Sequence, residues 1–216
     1  MLTVLVIGAL FAGVLMGMYY LGEAANDMRA SASDSSIQMQ LSSLGNLSLD
    51  EKIARFSAAL GTVKTQQTQE WVAKNLADLY VQQGDAILKT GDIPAAAVSY
   101  GNATKVFQKG APAYSRLGDL YRKAALSESN ESRREQQWLN ALTNYRFAYQ
   151  SEQDPIAKAK FGNLAAESTC YYITVQSATG ISSNARDLLY EARQMATPSS
   201  EVANRVQALL NQLSGG

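Results

Sequence analysis

Histidine is missing from the whole chain, and cysteine occurs once, at Cys170. The first absence removes the commonest general base, the commonest metal ligand, the usual axial haem ligand and the Ser-His-Asp arrangement. The second excludes an internal disulfide and a cysteine-built zinc site. Net charge is missing too, because 19 basic side chains balance 19 acidic ones. Without a basic stripe there is nothing to gather nucleic acid or acidic substrates. Charged residues make up only 18% of the chain, below the usual quarter, and the four prolines leave long stretches free to be helical. These absences predict no metal, no cofactor, no nucleic-acid partner and no enzyme.

A further absence is local. No charged side chain occurs from Met1 to Gly22, and the first is Glu23. A helix over 1–22 would be about 33 Å long at its normal rise, enough for one crossing of a hydrocarbon core. A cleaved secretory signal would want a basic start and a shorter apolar run. No Lys or Arg precedes this one, although small residues follow it (Ala24, Ala25, Ala30, Ala32). The stretch therefore reads as a retained transmembrane anchor. Ala9, Gly13 and Gly17 recur every four residues, a stripe of small residues that would let a second membrane helix approach closely. Tyr19 and Tyr20 stand where interfacial rings suit a membrane boundary. Arg29 is followed by no basic residue until Lys52. With so little positive charge after the span, the positive-inside rule leans towards an extracytoplasmic domain.

Residues 23–47, rich in Ser, Ala, Asp and Asn, read as a linker, partly helical near the membrane. Ser48-Leu-Asp-Glu51 is a capping-box pattern, and Ile53, Phe56, Leu60 and Val63 follow at helical spacing. From 48 to 214 the chain reads as one helical domain. Tyr80-x-x-x-Gly84-Asp85 recurs 34 residues later as Tyr114-x-x-x-Gly118-Asp119. A second pattern accompanies it. Ala96, Tyr100 and Ala103 have the same spacing as Ala141, Tyr145 and Ala148, and as Ala185, Leu189 and Ala192. Gly91-Asp92-Ile93-Pro94 forms the turn before the first of these, with proline where a first helical turn accepts it.

This pattern resembles the tetratricopeptide repeat (TPR) family, whose 34-residue helix–turn–helix unit carries Gly and Tyr in helix A and Ala-x3-Phe/Tyr-x2-Ala in helix B. The resemblance covers about residues 76–198. The unit with Gly84 and Ala96 fits best, with Ile87 where helix A usually has Tyr. The next unit has Leu117, Gly118 and Tyr121 in place, but its helix B starts about 11 residues late, after ALSESNESRRE. The third has a clear helix B, while its helix A, near 156–178, offers Gly162 and no clean match. The resemblance implies an α-solenoid whose concave helix-A face holds a peptide or protein. Position by position it nominates Val81, Asp85, Leu88 and Lys89 from one repeat, and Ser115, Asp119, Arg122 and Lys123 from the next. The family's basic clamp for acidic C-terminal peptides is not matched, since Val81 and Asp85 stand where a Lys and an Asn would be wanted.

The remaining polar residues read as structure. Asp85 and Asp119 are repeat-related and read as solvated helix faces. Cys170 lies beside Tyr171, Tyr172 and Ile173 and reads as a buried thiol. Most of the eleven tyrosines fall at repeat-core spacings. Arg116, Arg122, Lys123, Arg133 and Arg134 make a locally basic stretch that would meet an acidic partner. The sequence thus predicts an all-α protein, a single transmembrane helix followed by a TPR-like solenoid. It would be a non-catalytic scaffold, assembly factor or accessory subunit of a membrane complex, binding other membrane or extracytoplasmic proteins. The alternative is a structural subunit that self-associates through its apolar N-terminal helix into a fibre or ring.

Overall fold

Helix caps written into the sequence set where several elements begin. A computed structural model describes residues 25–176 and 183–214. Helix α1 is described over 25–42. It is followed by α2 (Leu49–Leu60), α3 (Gln66–Lys89), α4 (Ile93–Val106), α5 (Ala111–Ser127), α6 (Glu131–Ser151), α7 (Pro155–Gln176), α8 (Ala185–Met195) and α9 (Glu201–Ser214). The described residues contain no strand. The chain divides into two units between Asn75 and Leu76, inside α3.

In the first unit the predicted capping box is formed: Ser48 Oγ accepts from the Glu51 N–H, and Glu51 Oε2 accepts from the Ser48 N–H. Ile53 and Phe56 are buried, with Ala59 rather than Leu60 as the next inward residue. The rings of Phe56 and Trp71 lie 5.9 Å apart. Residues 25–42, expected within a linker, are helical because they have a structural task. Asp34 is buried and accepts from the N–H groups of Lys64 and Thr65, at 3.1 and 2.7 Å, and from the Thr65 hydroxyl at 2.6 Å. Backbone N–H groups ahead of a helix have no partner within it, so one carboxylate from α1 completes the start of α3.

The second unit stacks its helices in chain order, α4 on α5, α5 on α6, and on to α8 on α9, with α7 also touching α9. Gly91, at φ 88°, makes the left-handed turn into α4, and Asp92 caps that helix by accepting from the Ala95 N–H. Asn130 caps α6 in the same way through the Arg133 N–H. All three small-large-small triplets are buried: Ala96, Tyr100 and Ala103, then Ala141, Tyr145 and Ala148, then Ala185, Leu189 and Ala192.

Glycine lets the large member of each of the first two triplets seat fully. A Cβ on Gly84 would collide with the ring of Tyr100, and one on Gly118 would lie 2.7 Å from the ring of Tyr145. The aspartate after each glycine then accepts the tyrosine hydroxyl, Tyr100 to Asp85 and Tyr145 to Asp119, both at 2.7 Å. The third repeat, also within the second unit, keeps the plan with different atoms. Gly162 leaves room for the Met195 backbone, and Asn163 accepts from the Thr197 N–H and donates to its hydroxyl.

The membrane part of the expectation is corrected here. No helix among the described residues is long and apolar enough to cross a membrane. Helices α3 and α7 are long, 24 and 22 residues, but α3 carries Glu70, Lys74, Asp78, Asp85 and Lys89, and α7 carries Lys158, Lys160 and Glu167. These charges keep both helices from being continuously apolar. The span expected over 1–22, with its Ala9, Gly13 and Gly17 stripe, lies outside the described residues. The architecture is accordingly an all-α, repeat-like array, and the single-pass, extracytoplasmic localisation is not supported.

Two stability predictions follow from these contacts. Gly84→Ala and Gly118→Ala should each cost about 1–3 kcal/mol through overpacking against the tyrosines. Gly101→Ala, in α4 with nothing within 4 Å of the new methyl, should stabilise by about 0.5–1 kcal/mol; urea unfolding of the three variants measures both signs. In the first unit, the Thr65 hydroxyl bond holds Asp34 below the ordinary carboxylate range, aided by the backbone donors and opposed by burial. Its contribution is thus present above the unfolded value of 3.8 and lost as the pH falls through the folded one. Protection of the Lys64 and Thr65 amides from hydrogen exchange, taken relative to the intrinsic rate at each pH, should fall in acid, and Asp34→Asn should lower it at neutral pH and flatten that acid response.

Candidate partner-binding groove

A groove of about 230 Å³ opens in the second unit, lined by Val81 of α3, by Pro112, Ser115, Arg116 and Asp119 of α5, and by Lys160, Phe161 and Leu164 of α7. The α5 residues are spaced three, one and three apart, which places them on one face of the helix. Relative to the repeat glycines, Val81 and Ser115 occupy the same place, three residues before Gly84 and Gly118. Arg116 and Lys160 also correspond, two residues before Gly118 and Gly162.

The charged members of this surface are held differently. Arg116 forks onto Asp85, with Nε 3.0 Å from Oδ1 and Nη2 3.2 Å from Oδ2. Asp85 therefore receives both Tyr100 from its own repeat and Arg116 from the next. A planar guanidinium suits such two-point contact with a carboxylate. Further along, Arg122 pairs with Glu167 of α7 at 3.4 Å, and Arg146 of α6 with Glu191 of α8 at 2.6 Å. Each pair joins successive parts of the array. They are partly exposed, so each contributes only about 0–1 kcal/mol, and their value lies in orientation.

The nominated residues divide into three groups. Val81, Ser115 and Asp119 line the groove. Asp85 and Arg122 are engaged in the pairs just described, and Leu88 packs beside Ala96 and Tyr100. Lys89 and Lys123 are exposed and do not line it. Asp85 and Asp119, read from sequence as solvated positions, are acceptors for buried tyrosines. The sequence reading missed Pro112, Arg116, Lys160, Phe161 and Leu164 as groove residues. A signal was present: Gly118-Asp119 recurs 44 residues later as Gly162-Asn163, which aligns Lys160 with Arg116.

Burial, and then the bond to the neighbouring aspartate, raises the phenol of Tyr100 and that of Tyr145 well above the ordinary tyrosine range. Burial also pushes the Cys170 thiol up to about 11, opposed by Arg205 and reinforced by Glu167. A buried, protonated thiol is a poor nucleophile. Among the described residues no three acidic or cysteine side chains stand close enough together to hold a metal ion.

No protein-family model matches the chain, and comparison with curated proteins gives no match either.

The two tyrosine–aspartate contacts predict an alkaline limit. The native chain keeps the Tyr100 and Tyr145 protons above pH 10.0, where an unfolded phenol begins to lose its own. Their stabilisation is thus complete below that value and falls as the pH rises beyond it. Absorbance titration near 295 nm should show these phenolates emerging only with unfolding. The Tyr100→Phe/Tyr145→Phe variant should lose about 1 kcal/mol per hydroxyl at neutral pH and show a shallower alkaline decline.

Proposed function

We propose that this chain is a non-catalytic, TPR-like protein-binding scaffold that acts as an assembly factor or accessory subunit by holding a partner segment in the groove between α5 and α7. The observation that carries this reading is the composition of that groove. Equivalent positions of successive repeats converge on it and combine apolar surface (Val81, Pro112, Phe161, Leu164) with polar side chains (Ser115, Arg116, Asp119, Lys160). A partner side chain can bury area there while its backbone or charged neighbours find polar contacts, the mixture that characterises protein-recognition surfaces. The pairs that stitch neighbouring helices hold the surface in shape before a partner arrives, which lowers the cost of ordering on binding.

The reading is tested with a photo-crosslinking residue at Ser115 in the full chain, compared with the same residue at Gln153, which is exposed between α6 and α7. A discrete protein adduct should form from Ser115, and Phe161→Asp should abolish it while leaving the helical circular dichroism intact. Equal adducts from both positions, or adducts indifferent to Phe161→Asp, would place the contact elsewhere.

A further inference from the structure

Helix α1 has little apolar surface with which to hold the first unit. Among its described residues Leu41 is the one buried apolar side chain. Ile37 is half-buried, while Met28 and Met39 are 68% and 76% exposed. A helix of this length is marginal alone, and packing of an apolar face normally supplies its stability. The seam with α2 is also incompletely filled. A groove of about 240 Å³ runs between Ile37, Leu41 and Leu44 on one side and Ala58, Ala59 and Thr62 of α2 on the other. A permanently closed interior is packed more densely than this.

The hold is polar instead, and it is concentrated in one place. Asp34 and Gln38, four residues apart, share one face of α1. Asp34 accepts from the Lys64 and Thr65 amides and from the Thr65 hydroxyl. Gln38 Nε2 donates to Thr68 Oγ1 at 3.3 Å, and the Thr65 and Thr68 hydroxyls lie 2.9 Å apart. Asp34 and Thr68 are both buried, so this network is shielded from water. By contrast α2 and α3 have an apolar contact of their own, the rings of Phe56 and Trp71 at 5.9 Å.

We propose that α1 is a strap pinned at Asp34. It opens and closes on the first unit as one body while α2 and α3 stay paired, and its open state bares Ala58, Ala59 and Thr62 of α2. Opening of a single element is available wherever few apolar contacts hold it. Because one polar cluster selects the closed state, a change at that cluster shifts the balance by whatever the cluster contributes.

The test is native-state hydrogen exchange of the full chain at neutral pH, read by NMR. Amides of residues 35–42 should share one opening equilibrium that responds weakly to low urea. Those of Phe56 and Ala59 should be better protected and respond more steeply, since their exposure needs a larger unfolding. Asp34→Ala should lower protection over 35–42 roughly 10- to 100-fold, the range for hydrogen bonds to a charged group, with Phe56 and Ala59 remaining the better protected. Thr65→Val removes one donor and keeps the volume, so it reads the same pattern should Asp34→Ala fail to fold. It should lower α1 protection roughly fivefold, and Thr65→Ser should keep it near the wild-type value. Equal protection and equal urea response for α1 and α2 would overturn the proposal, because α1 would then belong to one cooperative body. A steady decline of protection from residue 42 towards residue 35 would overturn it in favour of fraying from the end. Unchanged α1 protection in both Asp34→Ala and Thr65→Val would remove Asp34 as the pin and overturn it as well.

Discussion

The second unit depends on two tyrosine rings lying directly against glycine. Tyr100 on Gly84 and Tyr145 on Gly118 leave no space for even one methyl group. Close packing of this kind fixes the distance and rotation between a pair of helices, because a well-packed interior cannot absorb an extra atom without strain. The hydroxyl at the far end of each ring then has to find an acceptor, since a buried polar group without one is costly. Asp85 and Asp119, each next to its glycine, supply it. One short contact thus decides both the apolar and the polar part of each helix pair.

Consequences spread from there along the array. Because Asp85 is anchored by Tyr100, it stands ready for Arg116 of the following repeat, and that pair closes the first step between repeats. At the second step the arginine is replaced by Lys160, which leaves its aspartate unbridged and a groove beside it. In the third repeat Gly162 faces the Met195 backbone first, with the Tyr149 ring beside it, and Asn163 holds Thr197 by two hydrogen bonds. The same small residue and the same neighbouring acceptor position are used three times, with chemistry adjusted to what lies opposite.

The fold of the second unit was legible for a clear reason. Its signals are local: glycine and alanine at three- and four-residue spacings, Asp92 one residue ahead of its helix, and a short turn at Gly91; the start of α6 at Glu131, inside the stretch ALSESNESRRE read as an insert, was missed. Helix α1 was less legible. Its residues are mainly polar with scattered apolar ones, and its function is to bring Asp34 to amides some 30 residues away, which no periodicity announces. The groove was half legible. Val81, Ser115 and Asp119 follow from their place in the repeat. Lys160, Phe161 and Leu164 follow only once Gly162 is recognised as the third repeat glycine, and the 23-residue spacing from Gly118 to Ala141 and from Gly162 to Ala185, against 12 from Gly84 to Ala96, obscured that. The expectation built on residues 1–22 came from counting apolar residues, while no described helix is long and apolar enough to cross a membrane.

The sequence by itself determined that the chain is helical, where α2 and α4 start, and which small-large-small faces turn inward. Those properties depend on propensity, capping and period, all of which act over a few residues. The tertiary structure alone decided the partners: Asp85 with Arg116, 31 residues apart, Arg122 with Glu167, 45 residues apart, and the meeting of α5 and α7 around Lys160. Such pairings depend on how far each connection carries the chain before the next helix packs. They are fixed by ring-on-glycine contacts between helices, and a one-dimensional pattern does not contain that distance.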